Sequence, residues 1–254
     1  MTSAAPGNTT IDPDEVEKFT KIAEEWWDPT GKFKPLHKFN PVRLGYIRDQ
    51  VCHHFGRTPM DELPLKGLRL IDVGCGGGLV AEPMARLGAA VTAIDAAERN
   101  IKTAMTHASQ SGLEIDYRNT TVEDLVAAGE APFDVVLNLE VVEHVADVSL
   151  FLKSSADLVA PGGMMVLATI NRTLKALLLA KIGAEYVLQW LPMGTHDPKK
   201  FVKPREVEAA LSRGNMAIAA RGGVNYNVLT DKWEVTNNTA VNYMIVAKKA
   251  KADG

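Results

Sequence analysis

Residues 70–78 read Leu-Ile-Asp-Val-Gly-Cys-Gly-Gly-Gly, an apolar run that passes Asp72 and ends in a cluster of glycines. Glycine lets the backbone take positive φ and lets a ligand lie against the main chain with no Cβ between them. A dinucleotide fingerprint, G-x-G-x-x-G, would need glycine where Leu79 stands, and no G-x-x-x-x-G-K-[ST] phosphate loop occurs. The pattern present is Asp72, Gly74, Gly76, Gly78, every second residue. It suits a nucleoside ligand that carries no phosphate.

S-adenosylmethionine is such a ligand. It asks for close backbone approach to its methionine part, at Gly74 and Gly76, and for carboxylates near its ammonium and ribose. Asp95, ending the next apolar run, is placed to accept from both ribose hydroxyls. Asp72 is placed to meet the ammonium, directly or through water. The plainer alternative is an ordinary strand-to-helix turn, with Asp95 capping the following helix. Arg43 offers a fork that matches the cofactor's carboxylate, or else a surface ion pair.

A second cluster, Glu140, Glu143 and His144, follows the apolar run 133–139. Methyl transfer from a sulfonium is an in-line displacement, so a protein must align donor and acceptor and deprotonate the acceptor. A phenol titrates near pH ~10 and is mostly protonated at neutrality. Three readings stand. Two carboxylates and an imidazole can hold a divalent cation, which lowers a catechol's pKa and orients both oxygens. His144 can serve as base without a metal. Or Glu143 and His144 only cap the next helix. Histidine is a less usual partner for magnesium than a third carboxylate.

These residues need a scaffold. The 254-residue chain is 46% hydrophobic, ample for one large core. Apolar runs at 68–73, 90–94, 114–118, 133–139 and 164–169 read as strands, alternating with helices at 79–87, 97–111 and 148–159, the last closed by Pro161-Gly162-Gly163. Such β-α-β alternation predicts an α/β fold: a mostly parallel sheet with helices on both faces. Two later strands, 217–220 and 241–248, complete it. Residues 1–13 read as a disordered tail, and 14–250 as a single domain. Within it, 14–60 form a helical lid with helices at 14–27 and 41–55, Pro41 suiting a first turn. Residues 171–203 form an insertion after strand five. Trp26 and Trp27 either close over the site or simply pack the N-terminal helix.

A net charge of −3 argues against a nucleic-acid binder. Two cysteines, Cys52 and Cys75, read as reduced thiols of a cytoplasmic protein, and the N-terminus shows no secretory pattern. In 173–191, Leu174, Leu178, Ile182, Tyr186 and Trp190 recur every four residues beside Arg172, Lys175 and Lys181. That pattern fits a helix lying on a membrane surface, or one buried over the active site.

The glycine loop and strand two resemble class I S-adenosylmethionine methyltransferases. Further segments narrow the likeness: Trp26-Trp27-Asp28, 33–37 (FKPLH), 40–47 (NPVRLGYI), 140–145 (EVVEHV), 183–186 (GAEY), 194–197 (GTHD) and 241–244 (VNYM). Together they resemble the bacterial ubiquinone biosynthesis O-methyltransferases, over Val16 to Lys248. The resemblance implies a Rossmann-like fold and O-methylation of a catechol-type hydroxyl on polyprenylated rings, an early 2-polyprenyl-6-hydroxyphenol and a late 3-demethylubiquinol. It implies cofactor contacts at Arg43, Gly74, Asp95 and Leu139, the last often Met in relatives, and a magnesium-type site. It also implies a peripheral place on the inner membrane, with membrane lipid and other ubiquinone-biosynthesis proteins as partners. The competing readings are methylation of another small phenolic molecule and a cofactor-binding module without catalysis.

Overall fold

The computed structural model describes residues 9–173, 200–227 and 232–251. Eight strands form one sheet, in the order β3-β2-β1-β4-β5-β8-β6-β7. The strands β1 (Arg69–Val73), β2 (Ala90–Asp95), β3 (Asp116–Asn119), β4 (Phe133–Leu139) and β5 (Val159–Ile170) run parallel to their neighbours among themselves. The last strands, β6 (Met216–Asn227), β7 (Lys232–Thr236) and β8 (Asn242–Lys249), pair antiparallel. The strand order reverses between β1 and β4, and the carboxyl ends of strands at such a switch point form a natural ligand crevice.

Successive side chains of a strand point to opposite faces. Leu70 of β1 joins a core with Ile47, Val51, Met84 and Leu137. Its neighbour Ile71 joins the opposite core with Phe151, Leu152, Val207 and Leu211. Burial on both faces explains why β1 and β4 read as continuous apolar runs. The first core receives α2 (Lys34–Phe55), α3 (Ala81–Arg86) and α4 (Glu98–Gln110). The second receives α5 (Val122–Ala127), α6 (Val148–Asp157) and α7 (Pro204–Arg213). The N-terminal α1 (Pro13–Lys21) starts where Asp12 caps the amides of Asp14 and Glu15.

Several boundaries differ from those read in the sequence. The segment 1–13, whose sequence predicts a disordered tail, is placed from Thr9 onward: Thr10 is buried and donates to Glu123 Oε1 at 3.0 Å. The first helix ends at Lys21, and a short 3-10 turn at Ala23–Glu25 follows it. The second helix starts at Lys34, with Pro35 in its first turn, so Pro41 lies inside it. Strand β5 absorbs Pro161-Gly162-Gly163 rather than starting after them. A Cβ at Gly163 would come within 2.8 Å of the Asp134 carbonyl oxygen, so glycine permits the close pairing. The short α5 and the edge strand β7 were not anticipated, and β6 extends well past residue 220. Of the 173–191 amphipathic stretch, all but Thr173 lies outside the described residues.

Candidate active site

The loop after β1 turns through Gly74 (φ 67°) and Gly76 (φ 54°), in the left-handed region that favours glycine. A Cβ on Gly74 would meet Val141 Cγ2 at 2.5 Å, so the loop lies hard against the segment that follows β4. At the end of β2, Asp95 Oδ2 accepts from the Gly76 amide at 2.9 Å. Its Oδ1 accepts from the Ala97 amide at 2.8 Å and from Asn100 Nδ2 at 3.1 Å. A carboxylate has about four acceptor positions. Asp95 therefore spends most of them shaping the loop, and the two-hydroxyl contact with a ribose requires one of these bonds to yield.

The buried polar atoms beside the loop that have no partner include Asp72 Oδ2, an acceptor, and Arg43 Nε, a donor. Asp72 is 2% exposed, and its carboxyl is pushed up to about 7 by burial, with the charge of Asp95 adding and Arg43 opposing. Arg43 projects from α2, hydrogen-bonds Asn40 Oδ1 and lies over the Phe39 ring, 5.1 Å from its centroid. Leaving such groups unmet costs roughly 1–3 kcal/mol each. The α-ammonium and α-carboxylate of S-adenosylmethionine would satisfy one each, so these residues fit that cofactor on charge and on hydrogen-bond sense.

Beyond the loop, the same cavity of about 750 Å³ reaches Leu139, Glu140, Glu143 and His144 at the carboxyl edge of β4. Glu140 holds φ at 57°, which is uncommon for a non-glycine residue and is retained where the surroundings enforce it. Its amide donates to the Ala168 carbonyl at 2.9 Å, and Arg43 Nη1 stands 4.0 Å from its Oε1. Glu143 is buried, and its Oε2 accepts from Thr169 Oγ1 at 2.7 Å. Burial, the charge of Glu143 and a hydrogen bond between the two carboxyls raise the pKa of Glu140, with Arg43 opposing.

Two neighbouring carboxyls, Glu143 buried and Glu140 half-buried, are oxygen donors of the kind a hard divalent cation prefers. His144 does not join them as a third donor in this arrangement. Its Nδ1 lies 2.9 Å from Glu15 Oε2, and its ring meets Phe19 edge-on. Among the described residues, no three His, Cys, Asp or Glu side chains stand close enough together to hold a metal ion.

The N-terminal segment closes one side of the cavity. The Trp26 ring stacks on Phe33 with centroids 3.8 Å apart, and Trp26 Nε1 donates to Asn100 Oδ1 at 2.9 Å. A Cβ on Gly76 would fall 2.4 Å from that indole. Trp27 Nε1 donates to the Gly77 carbonyl at 2.8 Å, and its ring stacks on His107. Both tryptophans thus pack and cover the glycine loop at once, so the two sequence readings of them merge. The sequence reading passed over Glu15, Asn100 and Thr169. Each acts through a partner distant in the chain, and no local pattern marks them.

Comparison with known proteins agrees with this architecture. Residues 71–167 match a methyltransferase domain family. The chain is 61% identical to the ubiquinone biosynthesis O-methyltransferase of Maricaulis maris over 253 residues, covering 98% of this chain and 99% of the relative. It is 58% identical to the protein of that name from Brucella anthropi over 249 residues, covering 98% and 99%. Among solved structures, a magnesium protoporphyrin IX methyltransferase from Synechocystis with bound SAH superposes with a TM-score of 0.58 at 18% identity, over 91% of this chain and 99% of that one. That likeness supports the Rossmann-like class I fold. The relatives, nearly as long as this chain and similar along all of it, place it in the ubiquinone biosynthesis O-methyltransferase family, whose members are S-adenosylmethionine-dependent.

Proposed function

We propose that this chain methylates a catechol-type hydroxyl on polyprenylated rings, both an early 2-polyprenyl-6-hydroxyphenol and a late 3-demethylubiquinol. One observation carries the reading: Glu140 and Glu143 share a single cavity with the glycine loop and with the unmet polar atoms of Asp72 and Arg43. Bound S-adenosylmethionine supplies an activated methyl group on a sulfonium. Arg43 and Asp72 hold its amino-acid end, Gly74 and Gly76 admit its close approach, Asp95 holds the ribose and Leu139 lines the crevice. Glu140 and Glu143 would hold a divalent cation of the magnesium type, whose chemistry there is to acidify a catechol and fix both its oxygens. His144 accepts the phenolic proton. The cavity continues past Phe39, Val224 and Trp233, an apolar wall suited to an isoprenoid tail.

The family's polyprenylated substrate supports a place at the inner-membrane surface. The four-residue apolar repeat in 173–191 and its basic neighbours support it as well. No helix among the described residues is long and apolar enough to cross a membrane. The test is methyl transfer from labelled cofactor to a prenylated catechol and to the matching monophenol, with and without chelator. The catechol alone should be labelled, chelator should stop the reaction and magnesium should restore it. Glu140→Gln and Glu143→Gln should bind cofactor yet turn over poorly. An unlabelled catechol would refute the function, and full activity in chelator would remove the cation.

A further inference from the structure

Glu15 is a charged residue of α1 that is only 6% exposed. A buried carboxylate is costly unless both its oxygens are engaged. Here Oε2 meets His144 Nδ1 at 2.9 Å, and Oε1 accepts from Lys18 at 2.8 Å and Lys200 at 2.9 Å. These contacts, that with His144 foremost, hold its pKa well below the usual carboxylate range. Two lysine ammoniums, which can only donate, sit on Oε1, so Glu15 is a carboxylate, and a carboxylate only accepts hydrogen bonds. The ring nitrogen facing it must carry a hydrogen. In the neutral imidazole the lone pair is then on Nε2, the one nitrogen left to take a proton or a ligand. Phe19, a turn further along α1, packs edge-on against the same ring.

The contact depends on where α1 sits. Lys200 also donates to Asp12 Oδ2 at 2.8 Å, and the Ala146 amide donates to the Thr10 carbonyl at 2.9 Å. Residues 10–15 are thus stitched to the segment bearing His144 and to Lys200, near the end of the insertion. We propose that Glu15 is a positioning residue: docking of α1 fixes the tautomer and orientation of the His144 ring, so that the site is complete only with the N-terminal helix in place. The proposal rests on His144 taking part in the reaction, but its structural half can be read without turnover.

The experiment uses the full chain with ¹⁵N-labelled histidine. Wild type should show His144 as the Nδ1–H tautomer. In Glu15→Ala that signature should give way to a mixture. Its kcat should fall about 10–100-fold, the usual cost of removing a carboxylate that orients a functional histidine. Affinity for S-adenosylmethionine should stay within about twofold, on the order of 0.4 kcal/mol. Lys18→Met removes another partner of Glu15, one on α1 itself, while leaving the histidine contact and the docking contacts of Lys200, so tautomer and kcat should both stay near wild type. In Glu15→Gln the amide oxygen can still accept from Nδ1–H. That variant should keep the tautomer and much of the rate, and it decides the matter should the alanine variant fail to fold. An unchanged His144 spectrum in Glu15→Ala would overturn the proposal. So would a Lys18→Met variant as slow as Glu15→Ala, because the loss would then follow from any change in the charge around Glu15 rather than from its contact with His144. For Glu15→Gln, full rate with a changed tautomer would do the same. Inactivity of wild type toward catechols would sink the reaction reading and leave the tautomer result intact.

Discussion

Cofactor affinity should rise with pH across the neutral range, because of Asp72. In the free protein its carboxyl titrates at about 7, held up by burial and by the charge of Asp95. An α-ammonium placed against Oδ2 favours the ionised carboxylate, and that ammonium stays largely protonated below about pH 7.5. Binding below pH 7 must therefore expel a proton, and affinity falls tenfold for each further pH unit. At about pH 6 only about one-tenth of Asp72 is ionised, so affinity should be about tenfold, or ~1.4 kcal/mol, below its plateau. Titration calorimetry between about pH 5.5 and about pH 7.5, in buffers of different ionisation enthalpy, reads both the slope and the proton released. Asp72→Asn should abolish most of the slope and lower the plateau by about 1.5–3 kcal/mol, the worth of a hydrogen bond to a charged group. Asp95, also raised by burial, contributes any remainder in the same direction. A flat profile in wild type, or an equal slope in Asp72→Asn, would refute the assignment.

Alanine at Gly74 should cost about 1–2 kcal/mol for its left-handed backbone, and more through its collision with Val141; cofactor affinity should fall with it. A thermal melt and a binding isotherm matching wild type would exclude that account. Combining Trp190→Glu with Leu178→Glu should weaken vesicle binding and turnover of long-tailed substrate, while a short-tailed catechol is still methylated. Flotation like wild type would rule out 173–191 as the anchor.

What the sequence revealed follows the range of the forces involved. Strand β4 was read at its observed limits, because a strand buried on both faces leaves an uninterrupted apolar run. The glycine turn after β1 and the place of Asp95 at the end of β2 are equally legible as structure, since each answers a local steric or hydrogen-bonding need. Pro41 misled because Pro35 already fills the first-turn position of α2. Helix α5, six residues long, is too short for a helical period to register. The grouping of Glu140, Glu143 and His144 by sequence spacing hid a division between them. The two glutamates turn to one another, while the histidine turns to Glu15, 129 residues away. Only the folded chain makes that partner visible.

The stitching of residues 10–15 also sets an order of events as the chain is made. Thr10, Asp12 and Glu15 leave the ribosome first, yet their partners at Glu123, His144, Ala146 and Lys200 emerge only later. Contacts so far apart in sequence form slowly and late. The nascent N-terminus must wait, undocked, while more than half of the sheet is synthesised. The fastening of α1 over the crevice consequently cannot be complete until Lys200 has been made, after strands β1 to β5.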